Sequence, residues 1–251
     1  MRIRMSTFGH VQVDGNVGVI RLDRPPVNAI NSVVRGELLE VADEVADRTD
    51  IRAAVLFGGE RSFAAGADIE EMADLGPSEI AAFGKTLTMA IDAVARLPRP
   101  VVAAVTRGAL GGGCGLAWAA DFRILAADAR IGLPEITLGV IPGAGGTQRL
   151  PRLVRVTKAK ELIFTGRAIG GTEAVAVGLA TRAVRRDQVP PEAMKFRPPA
   201  SRWTTAALAP RKERSPTVSR RTGRAAANGK RRLQRVVRDR RAGNSRRNRH
   251  D

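Results

Sequence analysis

The chain has 251 residues, a formal charge of +17, one cysteine and two histidines. Cys114 alone allows neither an internal disulfide nor a cysteine-rich zinc site, and His10 and His250 near opposite ends argue against a histidine metal centre or triad. No apolar run approaches membrane-spanning length and the opening "MRIRMSTFGHVQV" is unlike a secretory leader, so a cytoplasmic protein with no metal and no membrane contact is expected.

Strand and helix patterns alternate through the first part of the chain. "VGVIRLD" (17–23) reads as a strand, and "VVRGELLEVADEVAD" (33–47) as a helix with apolar residues three and four apart. "RAAVLFGG" and "PVVAAVTRG" read as buried strands ending in glycine turns. Between them "SEIAAFGKTLTMAIDAVARL" reads as a helix capped by Ser78 and stopped by Pro98 and Pro100. "DFRILAAD" gives another strand, and "KAKELIFTG" a helix closed by Gly166. The alternation predicts an α/β fold with crossover connections.

From about residue 183 the pattern fails. Residues 1–181 carry equal numbers of basic and acidic side chains, so the entire excess charge sits in residues 182–251, with 19 Arg against 3 Lys. Scattered prolines and few large apolar residues predict a stretch that buries too little surface to order itself. Two origins fit such a composition. One is a nucleic-acid-binding tail attracted by phosphate; the other is a shifted reading frame, since Arg, Ala, Pro and Gly have GC-rich codons. The domains expected are a core over 1–184 and a basic low-order tail over 185–251.

Two backbone turns could carry chemistry. "RSFAAGADIEEM" (61–72) follows the strand "AVLFGG", and "GALGGGCGLA" (108–117) opens an apolar helix. Small residues let a ligand approach the main chain, and free amides at a helix start favour negative charge. Two such N–H groups converging on one oxygen would form an oxyanion hole. The glycines taken alone fit tight turns in a packed core equally well.

Together with "ADFRI", "LPEITLGVIPGAGGTQRLPRLV" and "AKELIFTGRAI", these turns resemble the enoyl-CoA hydratase/isomerase family of the crotonase superfamily, in family order over about residues 8–184. The entrance "IRLDRPPVNAINS" looks like the family's first strand and turn, one residue shorter than its commonest form. The resemblance implies a spiral of ββα units and an acyl-CoA thioester as ligand. Coenzyme A then arrives as part of the substrate, and no separate cofactor is expected. It also implies C-terminal helices that help form homo-trimers and hexamers; an Arg-rich tail stands in their place here.

By the same resemblance, the thioester oxygen would sit between the N–H groups of Ala65 and Gly112. Ala65, Gly66, Ala67 and Asp68 would line the thioester and pantetheine path, and Pro142 and Gly143 would shape the acyl pocket. Hydratases of the family carry two glutamates, one in "GGGCEL" and one in "PEI". This chain keeps the second as Glu135 and has Gly115 in place of the first. The expected activity is acid/base chemistry by Glu135 on an acyl-CoA, in fatty-acid or related acyl catabolism. The alternatives are an isomerase working with one glutamate and an inactive acyl-CoA-binding remnant.

Other candidates have structural duties as their alternative. Asp68 and Glu71 fit charges at a helix start, Asp121 fits an organiser of buried backbone, and Cys114 and Trp118 fit packed core positions.

Overall fold

The computed structural model describes residues 7–196. A hairpin of β1 (Gly9–Asp14) and β2 (Val17–Leu22) leads through β3 (Ala29–Ile30) into helix α1 (Ser32–Asp47). The pattern recurs as β4 (Ala53–Phe57), β5 (Gly66–Ala67), α2 (Ile69–Ala73) and α3 (Pro77–Ala95), then as β6 (Val101–Val105), β7 (Gly108–Leu110) and α4 (Gly112–Ala119). The next unit is β8 (Phe122–Ala126), β9 (Arg130–Gly132), a 3-10 turn (Pro134–Leu138), α5 (Gly146–Leu153) and α6 (Val156–Thr165). After it come β10 (Ile169–Gly170), α7 (Gly171–Ala176), β11 (Arg182–Val184), a second 3-10 turn (Arg186–Gln188) and α8 (Val189–Met194).

The first strand of each unit enters one six-stranded sheet of order β1-β2-β4-β6-β8-β11, parallel except for the β1–β2 hairpin. The second strands form side ladders, β3 with β5 and β7 with β9 and β10, and a single bridge between Ala64 and Ala109 joins the two lines. Helices α1, α3, α4 and α5 pack in succession. This is a spiral of ββα units, as the resemblance implies. Central parallel strands are covered on both faces, which is why "VVAAV" of β6 is apolar and buried at every position.

The strands and helices expected from the sequence form within a residue or two of their expected ends. One cap differs. Gly76, not Ser78, precedes α3; Pro77 takes the first helical position, where no donor is needed, and the Glu79 carboxylate accepts from the Gly76 N–H at 2.6 Å. The end of α1 is closed from another part of the chain. Buried Arg99 donates to the carbonyls of Ile51 (2.6 Å), Ala46 (3.1 Å) and Arg48, a cation set against helix-terminal oxygens.

Packed structure continues beyond residue 184: Val189 and Ala193 of α8 are buried against the sheet, and Phe196 stacks near Phe122 with ring centroids 4.4 Å apart. Residues 185–196 therefore join the core side of the expected boundary, because "VPPEAM" still supplies apolar positions one turn apart. The expected basic tail and any nucleic-acid contact it makes lie, from 197 onward, outside the described residues. Among those described, no helix is long and apolar enough to cross a membrane.

Candidate active site

Two backbone turns meet at the head of α4. Phe63 and Ala64 donate to the Gly108 carbonyl at 2.9 and 3.2 Å, and Leu110 donates back to Ala64 at 3.0 Å. The approach is closer than side chains permit. A Cβ on Gly113 would stand 2.1 Å from the Ala64 oxygen, and one on Gly66 would stand 2.9 Å from the Gly112 nitrogen. Gly66 also has φ of +99°, a conformation that favours glycine. Gly112 is the first residue of α4, so its N–H has no carbonyl one helical turn earlier and sits at the positive end of the helix.

The structure brings Gly66, Ala67 and Gly112 together: a Cβ on Gly112 would lie 3.4 Å from the Ala67 nitrogen. Ala65 is different from expectation. It is exposed and its N–H donates to the Val27 carbonyl at 2.9 Å, so that donor is already engaged. Val27 is held there by the turn it belongs to. Asn28, with φ of 56°, points its Nδ2 at the carbonyls of Gly58, Ser62 and Phe63 (2.6, 3.0 and 3.1 Å) and accepts from Arg24 N–H at 2.8 Å. Sequence reasoning passed over Asn28. Its one signal was an asparagine, a residue tolerant of the left-handed region, directly after "PPV".

Asp68 caps α2. One carboxylate oxygen accepts from Glu70 and Glu71 N–H at 3.0 and 3.3 Å, and the other pairs with Arg24 at 2.8 Å. Glu71 accepts from Ser32 N–H at 2.9 Å and faces Arg35 at 3.4 Å. Both carboxylates thus have structural partners.

Glu135 arrives from the opposite wall, on the 3-10 turn after β9. The turn starts at Pro134 and closes at Gly139, whose φ is 70°. The carboxylate lies directly over Gly111: a Cβ there would stand 3.1 Å from Oε1. Gly111 also has φ of 53°, so both space and backbone demand glycine next to Gly112. Oε2 is buried with no hydrogen-bond partner among the described residues. Burial disfavours the charged form and pushes this carboxyl up to about 7.

Gly115, where the resemblance puts the first glutamate of hydratases, has little space beside it. Gly115 lies on α4 one turn after Gly111, against the loop 142–145. A Cβ at 115 would stand 2.7 Å from the Ala144 oxygen and 3.1 Å from its Cβ. Pro142 is buried, Gly143 is exposed with open space beside it, and Ala144 is buried with φ of 53°.

The remaining candidates are structural. Cys114 is fully buried, its thiol contacts the carbonyls of Ala109 and Gly132 at 2.7 and 3.0 Å, and burial pushes it well above the usual thiol range. Asp121 accepts from Val101 N–H at 2.8 Å, joining two neighbouring strands of the main sheet. Trp118 is buried in α4, and its Nε1 has no partner among the described residues. Among those residues, no group of three or more His, Cys, Asp or Glu is placed to hold a metal ion.

A ββα spiral with two glycine turns against an enclosed carboxyl defines a crotonase-superfamily protein. The chain belongs to the enoyl-CoA hydratase/isomerase family, whose sequence model matches residues 12–240. Probable enoyl-CoA hydratase echA8 of Mycobacterium tuberculosis (strain CDC 1551 / Oshkosh) is 43% identical over 204 residues, 81% of this chain and 79% of the relative. The short-chain-enoyl-CoA hydratase of Clostridium acetobutylicum is 41% identical over 181 residues, 71% of this chain and 69% of the relative. The crystal structure of enoyl-CoA hydratase from Bacillus anthracis superposes with a TM-score of 0.77 at 37% identity, covering 82% of this chain and 81% of that one.

Proposed function

We propose that this chain acts on an acyl-CoA thioester, in fatty-acid or related acyl catabolism in the cytoplasm, with Glu135 as its single acid/base. Coenzyme A enters as part of the substrate and no other cofactor takes part. The observation that carries this reading is the placement of Glu135 Oε1 over Gly111, beside the helix-start N–H of Gly112. A thioester oxygen at Gly112 would put its α-carbon within reach of that carboxylate. The N–H and the helix dipole then stabilise the enolate as the proton leaves. The Ala65 N–H is held by the Val27 carbonyl, so the Gly112 N–H is the donor on which this reading rests. Glu135 titrates near 7, so it can take a proton and return it near neutral pH.

One carboxylate suffices to move a double bond. Glu135 removes a C2 proton from a 3-enoyl thioester, the dienolate forms, and the same group returns the proton at C4. Hydration asks more: a base for water and an acid for C2. With glycine at 115, only the Glu135 carboxyl is at hand, which favours isomerisation over hydration. The test is turnover of a 3-enoyl-CoA beside water addition to crotonyl-CoA. Isomerisation should exceed hydration and rise with pH through about 7 as the base form of Glu135 builds up. Glu135→Gln should lower it by about 10²–10⁴-fold while thioester binding persists. Binding without turnover in the wild type would identify an acyl-CoA-binding remnant; no binding at all would overturn the proposal.

A further inference from the structure

Arg35 of α1 is a buried cation with too few partners. Its side chain is 9% exposed, and its guanidinium carbon lies over the Phe83 ring, 3.8 Å from the centroid. Nη2 meets Glu71 at 3.4 Å, longer than a charge-assisted hydrogen bond, and Nη1 is buried with no partner among the described residues. Glu71 is engaged elsewhere too, since its other oxygen accepts from Ser32 N–H at 2.9 Å. A guanidinium stays charged, and its planar fork matches a carboxylate with two parallel bonds. Leaving one arm of that fork buried and empty is costly. An apolar residue packed between α1 and α3 would carry no such cost.

The fold puts this fork beside the proposed thioester path. β3 pairs with Gly66–Ala67, so α1 starts next to the turn that ends at Asp68, and Glu71 belongs to the short helix opening there. On α3, Phe83 and Leu87 are buried and stand one turn apart, about 6 Å along the axis. Leu87 reaches to 3.4 Å from where a Cβ on Gly112 would stand. Gly112, Leu87, Phe83 and Arg35 thus form one line, from the helix-start N–H to the guanidinium.

We infer that Arg35 is a specificity-determining residue: it binds a carboxylate at the far end of the acyl chain, and the preferred substrate is a dicarboxylic acyl-CoA. This rests on the acyl-CoA reading above and adds the class of acyl group. Phe83 and Leu87 border the methylene stretch, and Nη1 donates to the incoming carboxylate. A chain that ends in a methyl group leaves Nη1 buried and unpaired, so the site discriminates against it.

The experiment is calorimetric titration of the full chain with suberyl-CoA and octanoyl-CoA, saturated thioesters of equal length that differ in the terminal carboxylate. Suberyl-CoA should bind on the order of 10-fold more tightly. Arg35→Met should bring that ratio close to one, and Arg35→Lys, which keeps the charge without the fork, should fall between. A contact that merely ties α1 to α3 would affect both thioesters alike. Equal or weaker binding of suberyl-CoA by the wild type overturns the inference, as does a preference that survives in Arg35→Met. Should the methionine variant fail to fold, Glu71→Gln decides. Removing the competing carboxylate should widen the preference, and an unchanged or smaller one overturns the assignment. The ratio involves no turnover, so loss of the acid/base role of Glu135 would leave it intact; failure of both thioesters to bind overturns the acyl-CoA reading and this inference with it.

Discussion

At Glu135 the charge state depends on enclosure, since Oε2 lacks a partner and burial raises the carboxyl from 4.5 to about 7. The folded chain therefore holds this proton more tightly than the unfolded one. Its contribution to stability is complete below about 4.5 and is lost as pH rises through about 7. Urea midpoints of wild type and Glu135→Gln should accordingly diverge over this window, the glutamine variant keeping the stability that wild type loses; parallel pH profiles would refute the enclosure. Gly113 gives a second residue-scale outcome. Its missing Cβ leaves room for the Ala64 carbonyl, 2.1 Å from where that atom would be. Gly113→Ala should cost about 1–3 kcal/mol in urea unfolding, as overpacking does. It should also lower thioester affinity by parting the two turns.

Among the elements, buried arginines join segments that strand pairing leaves apart. Arg123 of β8 donates to Leu179 at 2.6 Å and to Ala120 at 2.7 Å, linking the end of α4 to the run into β11. Burial lowers its guanidinium to about 10, still charged at neutral pH. Arg123→Met should destabilise by about 1–3 kcal/mol for each carbonyl left without a donor, read from the chemical unfolding midpoint. Such long-range bonds explain what the sequence hides. The helix of residues 33–47 and the strands around "VVAAV" were legible because their apolar spacing is local. So was the pair of glycine turns, and Glu135 followed from its motif. The cap on α3 was misassigned because Ser78 is the commoner capping type, whereas Pro77 and Glu79 act together from positions a serine-based rule ignores. Arg99 and the paired Arg149 and Asp92 carried no local mark, and Asn28 only an asparagine after "PPV"; their partners lie up to 57 positions away. The occupied donor of Ala65 was equally invisible, since Val27 reaches it only after two strands have paired.

At the scale of the molecule, several large apolar side chains among the described residues stay exposed. Ile141, Val156 and Phe164 are more than half exposed, and Ile136 lies against Gly166 at the end of α6. Exposed apolar groups of this size mark contact surfaces, which fits the self-association that family resemblance implies. Phe164→Lys should reduce the sedimenting mass at fixed protein concentration; an unchanged mass would mean that association uses another face. The turn around Asn28 also reaches beyond its own position. Every group that would touch substrate follows residue 63, yet the segment leading into Ala64 and Ala65 takes its shape from an amide side chain 35 positions upstream. Trimming the gene to the stretch from the first glycine turn onward would discard the anchor of that turn. Such a fragment would preserve the whole chemical inventory and lose its arrangement, a caution for anyone borrowing this scaffold in pieces.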